Sequence, residues 1–183
     1  MTISGKEICD NSESVDFLLN HLTMGADWRE IWKKNVISDR RLFDQFFESV
    51  FSDDSRLAWY SCWIIDIASE EYPDLLLSKI EKIISGLIST NVTSLKRHFT
   101  RILCRYQIPE EHLGVLVNRC YELLAPAEPA AVRVFAMQLL FNMSQQQRDL
   151  KGELICVIET LMEEGGTAGF VNRAGKLLRL LRP

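Results

Sequence analysis

Apolar residues recur three and four positions apart through nearly the whole chain, and strictly alternating runs are almost absent. That period places apolar side chains on one face of a helix, so the pattern predicts an all-α protein. Helices are expected near residues 39–51, 54–70, 74–88, 93–106, 109–124, 129–143, 147–163 and 168–181. Shorter ones are expected over 13–22 and 27–34, the latter carrying Trp28 and Trp32 four apart on one face. Residues 1–13 read as a flexible leader. The breaks have physical causes. "SDDS" offers caps before Arg56, and "STNVTS" offers polar caps again. "YPD" stops one helix at Tyr72 and lets Pro73 open the next. "IPEE" sets a proline and two acids in a first turn. "APAEP" is a short hinge, and "EEGGTAG" is a glycine stop. Connectors this short require successive helices to fold back as antiparallel neighbours.

The second helix of each pair tells more. "SRLAWYSCWIIDIA", "LKRHFTRILCRY", "VRVFAMQLLFNM" and "FVNRAGKLLRLL" align on Arg56, Lys96, Arg133 and Val171, at spacings of 40, 37 and 38 residues. Trp59, Phe99, Ala136 and Ala174 then share one register, and Trp63, Leu103, Leu140 and Leu178 another. One hairpin cannot bury its apolar face alone; stacked hairpins make a continuous core.

With these residues the chain resembles HEAT-like, armadillo-type helical-repeat proteins, small bacterial ones among them. The resemblance implies a right-handed α-α superhelix of about four helical pairs over residues 39–183, with 1–38 as leader and N-terminal capping helices. In such repeats a basic residue early in the second helix pairs with an acid or amide just before it. "NVTSLK" (Asn91, Lys96) and "EPAAVR" (Glu128, Arg133) look like that arrangement, whereas Val171 departs from it. The closing "TAGFVNRAGKLLRLLRP" looks like a terminal cap. What the resemblance implies is scaffold geometry rather than a reaction.

Composition fits this picture: 183 residues, 47% apolar and 25% charged, are enough for a real core. Charge complicates it. The formal net charge is −4, yet residues 95–106 hold four basic side chains, one histidine and no acid. On a helical wheel Leu95, Phe99, Ile102, Leu103 and Tyr106 cluster on one side, and Arg97, Arg101 and Arg105 on the other. Arg173, Lys176, Arg179 and Arg182 repeat the design, and residues 167–183 contain no acid. The helix between contributes only Arg133. The acids Glu110, Glu111, Glu122, Glu153 and Glu159 fall on first helices. The resemblance implies that second helices line the concave side. A basic groove carried by Arg97, Arg101, Arg105, Arg133, Arg173 and Lys176 then suits a protein partner with an acidic surface. Nucleic acid is a lesser candidate, since the chain is acidic as a whole. The plain alternative is that these are the solvated faces of helices, whose basic stems cover apolar surface. A homo-oligomeric scaffold joined through the terminal repeat is a third reading.

Asp66 is the oddest acid, set in a helix apolar on nearly every side. A buried carboxylate requires hydrogen bonds or a basic partner, and Arg97 or Arg101 on the neighbouring second helix is the expected one. The similarity to HEAT-like alkylated-DNA glycosylases implies a different use. Those enzymes set an aspartate, tryptophans and an arginine on the concave surface, which Asp66, Trp59, Trp63 and Arg97 loosely echo. Core packing is the simpler role for the two tryptophans. His21, His98 and His112 show no metal spacing, with His98 expected at a half-exposed edge. No phosphate-binding loop or nucleophile elbow occurs, so neither cofactor nor metal is expected and the reading is non-enzymatic. Of five cysteines none forms a CxxC pair; Cys62, Cys104, Cys120 and Cys156 are expected as buried thiols. No apolar run approaches the roughly 20 residues that span a bilayer. The start lacks the pattern of a secretory signal, so a cytoplasmic location without membrane contact is expected.

Overall fold

A computed structural model describes residues 26–182. The expected leader and the helix over 13–22 lie outside the described residues. Every regular element among the described residues is helical. The contacts divide the chain between Ser78 and Lys79 into two compact units.

The first unit contains α1 (Ala26–Ser38), α2 (Arg40–Ser49) and α3 (Ser55–Glu71), each packed on the other two. α1 is longer than the expected 27–34. Its core comprises Trp32, Val36, Phe43, Phe46, Phe47, Cys62 and Ile65, all at most 3% exposed. Burying each of these large apolar side chains contributes about 1.5–3 kcal/mol. Two aspartates begin the helices. Asp39 Oδ1 accepts from the backbone N–H of Arg41 (2.8 Å) and Leu42 (3.2 Å). Asp54 Oδ1 does the same for Arg56 (2.8 Å) and Leu57 (3.1 Å), so "SDDS" is indeed a cap. Lys33 ties α1 to the end of α3 by pairing with Glu71 at 3.0 Å.

The expected single helix over 74–88 is two pieces. Pro73–Lys79 is a 3-10 helix, and α4 (Ile80–Ser89) begins only after it. Lys79 breaks the α geometry with φ −121° and ψ 1°. The tighter winding lets Leu76 point fully inward while the adjacent Leu77 stays 61% exposed.

The second unit is a stack of three hairpins: α4 with α5 (Thr93–Leu103), α6 (Glu110–Glu122) with α7 (Ala130–Gln146), and α8 (Leu150–Glu163) with α9 (Ala168–Leu181). The second helices α5, α7 and α9 pack side by side in that order, and α4 lies beside α6. The aligned positions become the core: Phe99, Ala136, Ala174, Leu103 and Leu140 are at most 1% exposed. The helical wheel of residues 95–106 is correct for its apolar side, since Leu95, Phe99, Ile102, Leu103 and Tyr106 are all buried. The buried arc is wider than expected, because α5 is packed on two sides. Lys96, His98 and Thr100 are buried too, so His98 is not at an edge. Gly165, at φ +81°, terminates α8 in the left-handed region that favours glycine.

Helix ends in this unit are completed by the neighbouring hairpin. The α-geometry of α5 stops at Leu103, and Arg105 N–H and Tyr106 N–H turn back to the carbonyls of Ile102 and Leu103. Asn142 of α7 donates from Nδ2 to Cys104 O at 2.8 Å. The Gln146 amide, oriented with Nε2 toward Ile108, pairs with both backbone groups of that residue at 3.0 and 3.2 Å. Arg119 of α6 donates from Nε to Leu87 O (3.1 Å) and from Nη2 to Thr90 O (2.8 Å), covering the C-terminus of α4.

Candidate functional site

The six basic residues that the sequence groups together divide into three kinds. Arg97, on α5, and Lys176, on α9, are exposed, and neither makes an ion pair among the described residues. Arg101, Arg105 and Arg173 are half-buried. Arg173 donates from Nη1 to Gln138 Oε1 at 3.0 Å, and Gln138 passes its own Nε2–H to Asn142 Oδ1 at 2.8 Å. With the Asn142 bond to Cys104 O, a polar ladder runs from α9 across α7 to the end of α5.

Arg133 is the correction. It is 9% exposed, buried where the other five are exposed or half-buried. Its Nε donates to Leu124 O at 2.9 Å, and its guanidinium lies 4.4 Å from the centroid of the Phe170 ring. The planar guanidinium suits this place, because one edge satisfies a helix-end carbonyl while the face stacks on an aromatic ring. Pairing within a repeat also fails. Lys96 Nζ meets Glu128 Oε1 at 2.5 Å, so the basic residue of one hairpin pairs with the acid of the next. Asn91 is exposed, and Arg133 serves Leu124 rather than Glu128. The second helices are adjacent, and this brings Lys96 to the loop before α7.

Asp66 is fully buried on α3. The excision reading requires a carboxylate that a nucleobase can reach, and that condition is not met. Trp59 and Trp63 are half-exposed although their aligned counterparts in the second unit are buried, and Trp59 lies 4.7 Å from Tyr60, centroid to centroid. A separate cleft of about 540 Å³ is lined by Gln107, Ile108, Pro109, Glu110, Gln146 and Gln147. None of the sequence-predicted site residues lines it. Sequence reasoning had no signal for it, since it forms where the α5–α6 loop meets the end of α7.

The thiols differ. Burial pushes the Cys62 thiol well up, with the Asp66 charge adding to it, and burial does the same to Cys120. Tyr121 is pushed up to about 12 by burial, then by Glu153 and Cys120. Cys156 is exposed, contrary to the expected burial, because it falls on the outer side of α8. Reactivity follows the thiolate fraction and access. In the folded chain, iodoacetamide followed by peptide mapping is expected to mark Cys156 within minutes. Cys62 and Cys120 should be marked only in denaturant; prompt native labelling of Cys120 would contradict the packing of α6.

Among the described residues no helix is long and apolar enough to cross a membrane. A family model described as a HEAT repeat domain matches residues 18–178. No curated protein and no solved structure matches the chain.

Proposed function

The chain belongs to the HEAT-repeat family, and from that premise we propose that it is a non-enzymatic interaction scaffold. Residues 39–183 act as the repeat array and the preceding residues as its cap. The partner is a protein with an acidic surface, held on the face carried by α5, α7 and α9, the concave side in arrays of this family. The observation that carries the reading is the pair Arg97 and Lys176. They are exposed on second helices, without ion pairs among the described residues, in a chain whose net charge is −4. Exposed cations raise the local potential and steer an anionic surface toward them. Arg173 supports from the ladder, and Arg101 and Arg105 flank. Arg133 has no part in contact.

The test is charge reversal at the two exposed positions. R97E/K176E is expected to keep its circular-dichroism spectrum and melting temperature, because neither side chain holds the core. Binding to an acidic-protein partner recovered by affinity capture should fall at least about tenfold, and wild-type binding should weaken between low and high salt. A folded R97E/K176E protein that binds this partner as well as wild type does would overturn the assignment of this face.

A further inference from the structure

On the opposite layer of the second unit, Glu81, Glu111 and His112 bring one ligand atom each to within 4.8 Å of one another. Glu81 is the second residue of α4, and Glu111 and His112 are the second and third of α6. Both carboxylates are exposed, and the imidazole is half-buried. Among the described residues no ion pair neutralises either acid and no side chain occupies the imidazole. We propose that these three side chains form a binding site for a single divalent transition-metal ion of the zinc type, which clamps α4 to α6.

The donor set argues for that class of ion. An imidazole nitrogen with carboxylate oxygens suits zinc, nickel or copper, whereas magnesium and calcium take oxygen alone. Ligands around tetrahedral zinc, with bonds of about 2.0–2.2 Å, sit roughly 3.4 Å apart. The two glutamates close the remaining distance by turning about their exposed side-chain bonds. The backbone of His112 is held in the first turn of α6, where its N–H bonds Pro109 O at 3.0 Å. Two carboxylates offset the charge of the ion, and a fourth position remains for water. The site draws on helices of successive hairpins, thirty residues apart in sequence, so linear spacing does not reveal it. Its consequence is mechanical: an ion held from both hairpins resists their sliding.

The experiment titrates metal-stripped full-length protein with zinc chloride in a calorimeter, with magnesium chloride in parallel. One zinc ion per chain is expected, with no comparable heat from magnesium. Saturating zinc at about 100 times Kd should raise Tm by roughly 5–10 °C, reversibly with chelator. H112A and E81Q should each weaken zinc binding about tenfold or more, while C156S leaves it unchanged. Absence of zinc binding overturns the proposal. So does binding that H112A and E81Q leave intact, binding that C156S alone removes, or equal binding of magnesium.

Discussion

Arg133→Ala is expected to destabilise the protein by about 3 kcal/mol, a fall of roughly 6–12 °C in Tm for a chain of this size. Three losses combine. Leu124 O keeps no guanidinium donor, which costs about 1–3 kcal/mol for a buried carbonyl. The cation–π contact with Phe170 contributes about 0.5–2 kcal/mol more. The stem also leaves a gap between α7 and α9. Arg133→Lys should recover little, since an ammonium cannot present a donor edge and a stacking face together. The measurement is urea unfolding followed by circular dichroism. A wild-type midpoint in Arg133→Ala, accompanied by weaker partner binding, would return this arginine to the contact surface.

Phe99→Ala should cost more, about 4 kcal/mol. The ring is 1% exposed in α5, which packs against both α4 and α7. Large-to-small replacement loses transfer free energy and leaves a cavity, and for a buried phenylalanine the sum is about 3–5 kcal/mol. Relaxation is restricted here because Leu103 and Ile102 are themselves fully buried beside it in sequence. Calorimetric melting of Phe99→Ala should show the loss directly. A change below about 1 kcal/mol would mean that the helices of the second unit do not share an interior at this position.

The helices and their apolar faces were legible because they depend only on local period. The wheel of residues 95–106 found the buried side of α5 from Leu95, Phe99, Ile102 and Leu103, and Asp54 and Gly165 were readable as helix punctuation. Within the second unit, the repeat spacing found that α5, α7 and α9 lie side by side. What stayed hidden depends on how one hairpin is set against another. Lys96 was read with Asn91, its sequence neighbour, but stacking gives it Glu128. Arg133 carried the charge of a surface residue, and only the position of the α6 terminus and Phe170 makes it internal. The 3-10 segment Pro73–Lys79 was invisible because its apolar residues fit an α period equally well. Of the proposed contact residues, Arg97 and Lys176 were legible as exposed from the wheel alone; the ladder that engages Arg173 was not.

The bonds between hairpins have a further consequence. Asn142 finishes α5, Arg119 finishes α4, and Glu128 neutralises Lys96. Repeats wired in this way are not interchangeable parts. Excising the middle hairpin and splicing its neighbours would orphan three carbonyls and a lysine, all on the α4–α5 hairpin, even if every apolar surface still matched. Lengthening or shortening this protein by whole repeats therefore demands that the junction residues be redesigned with the helices.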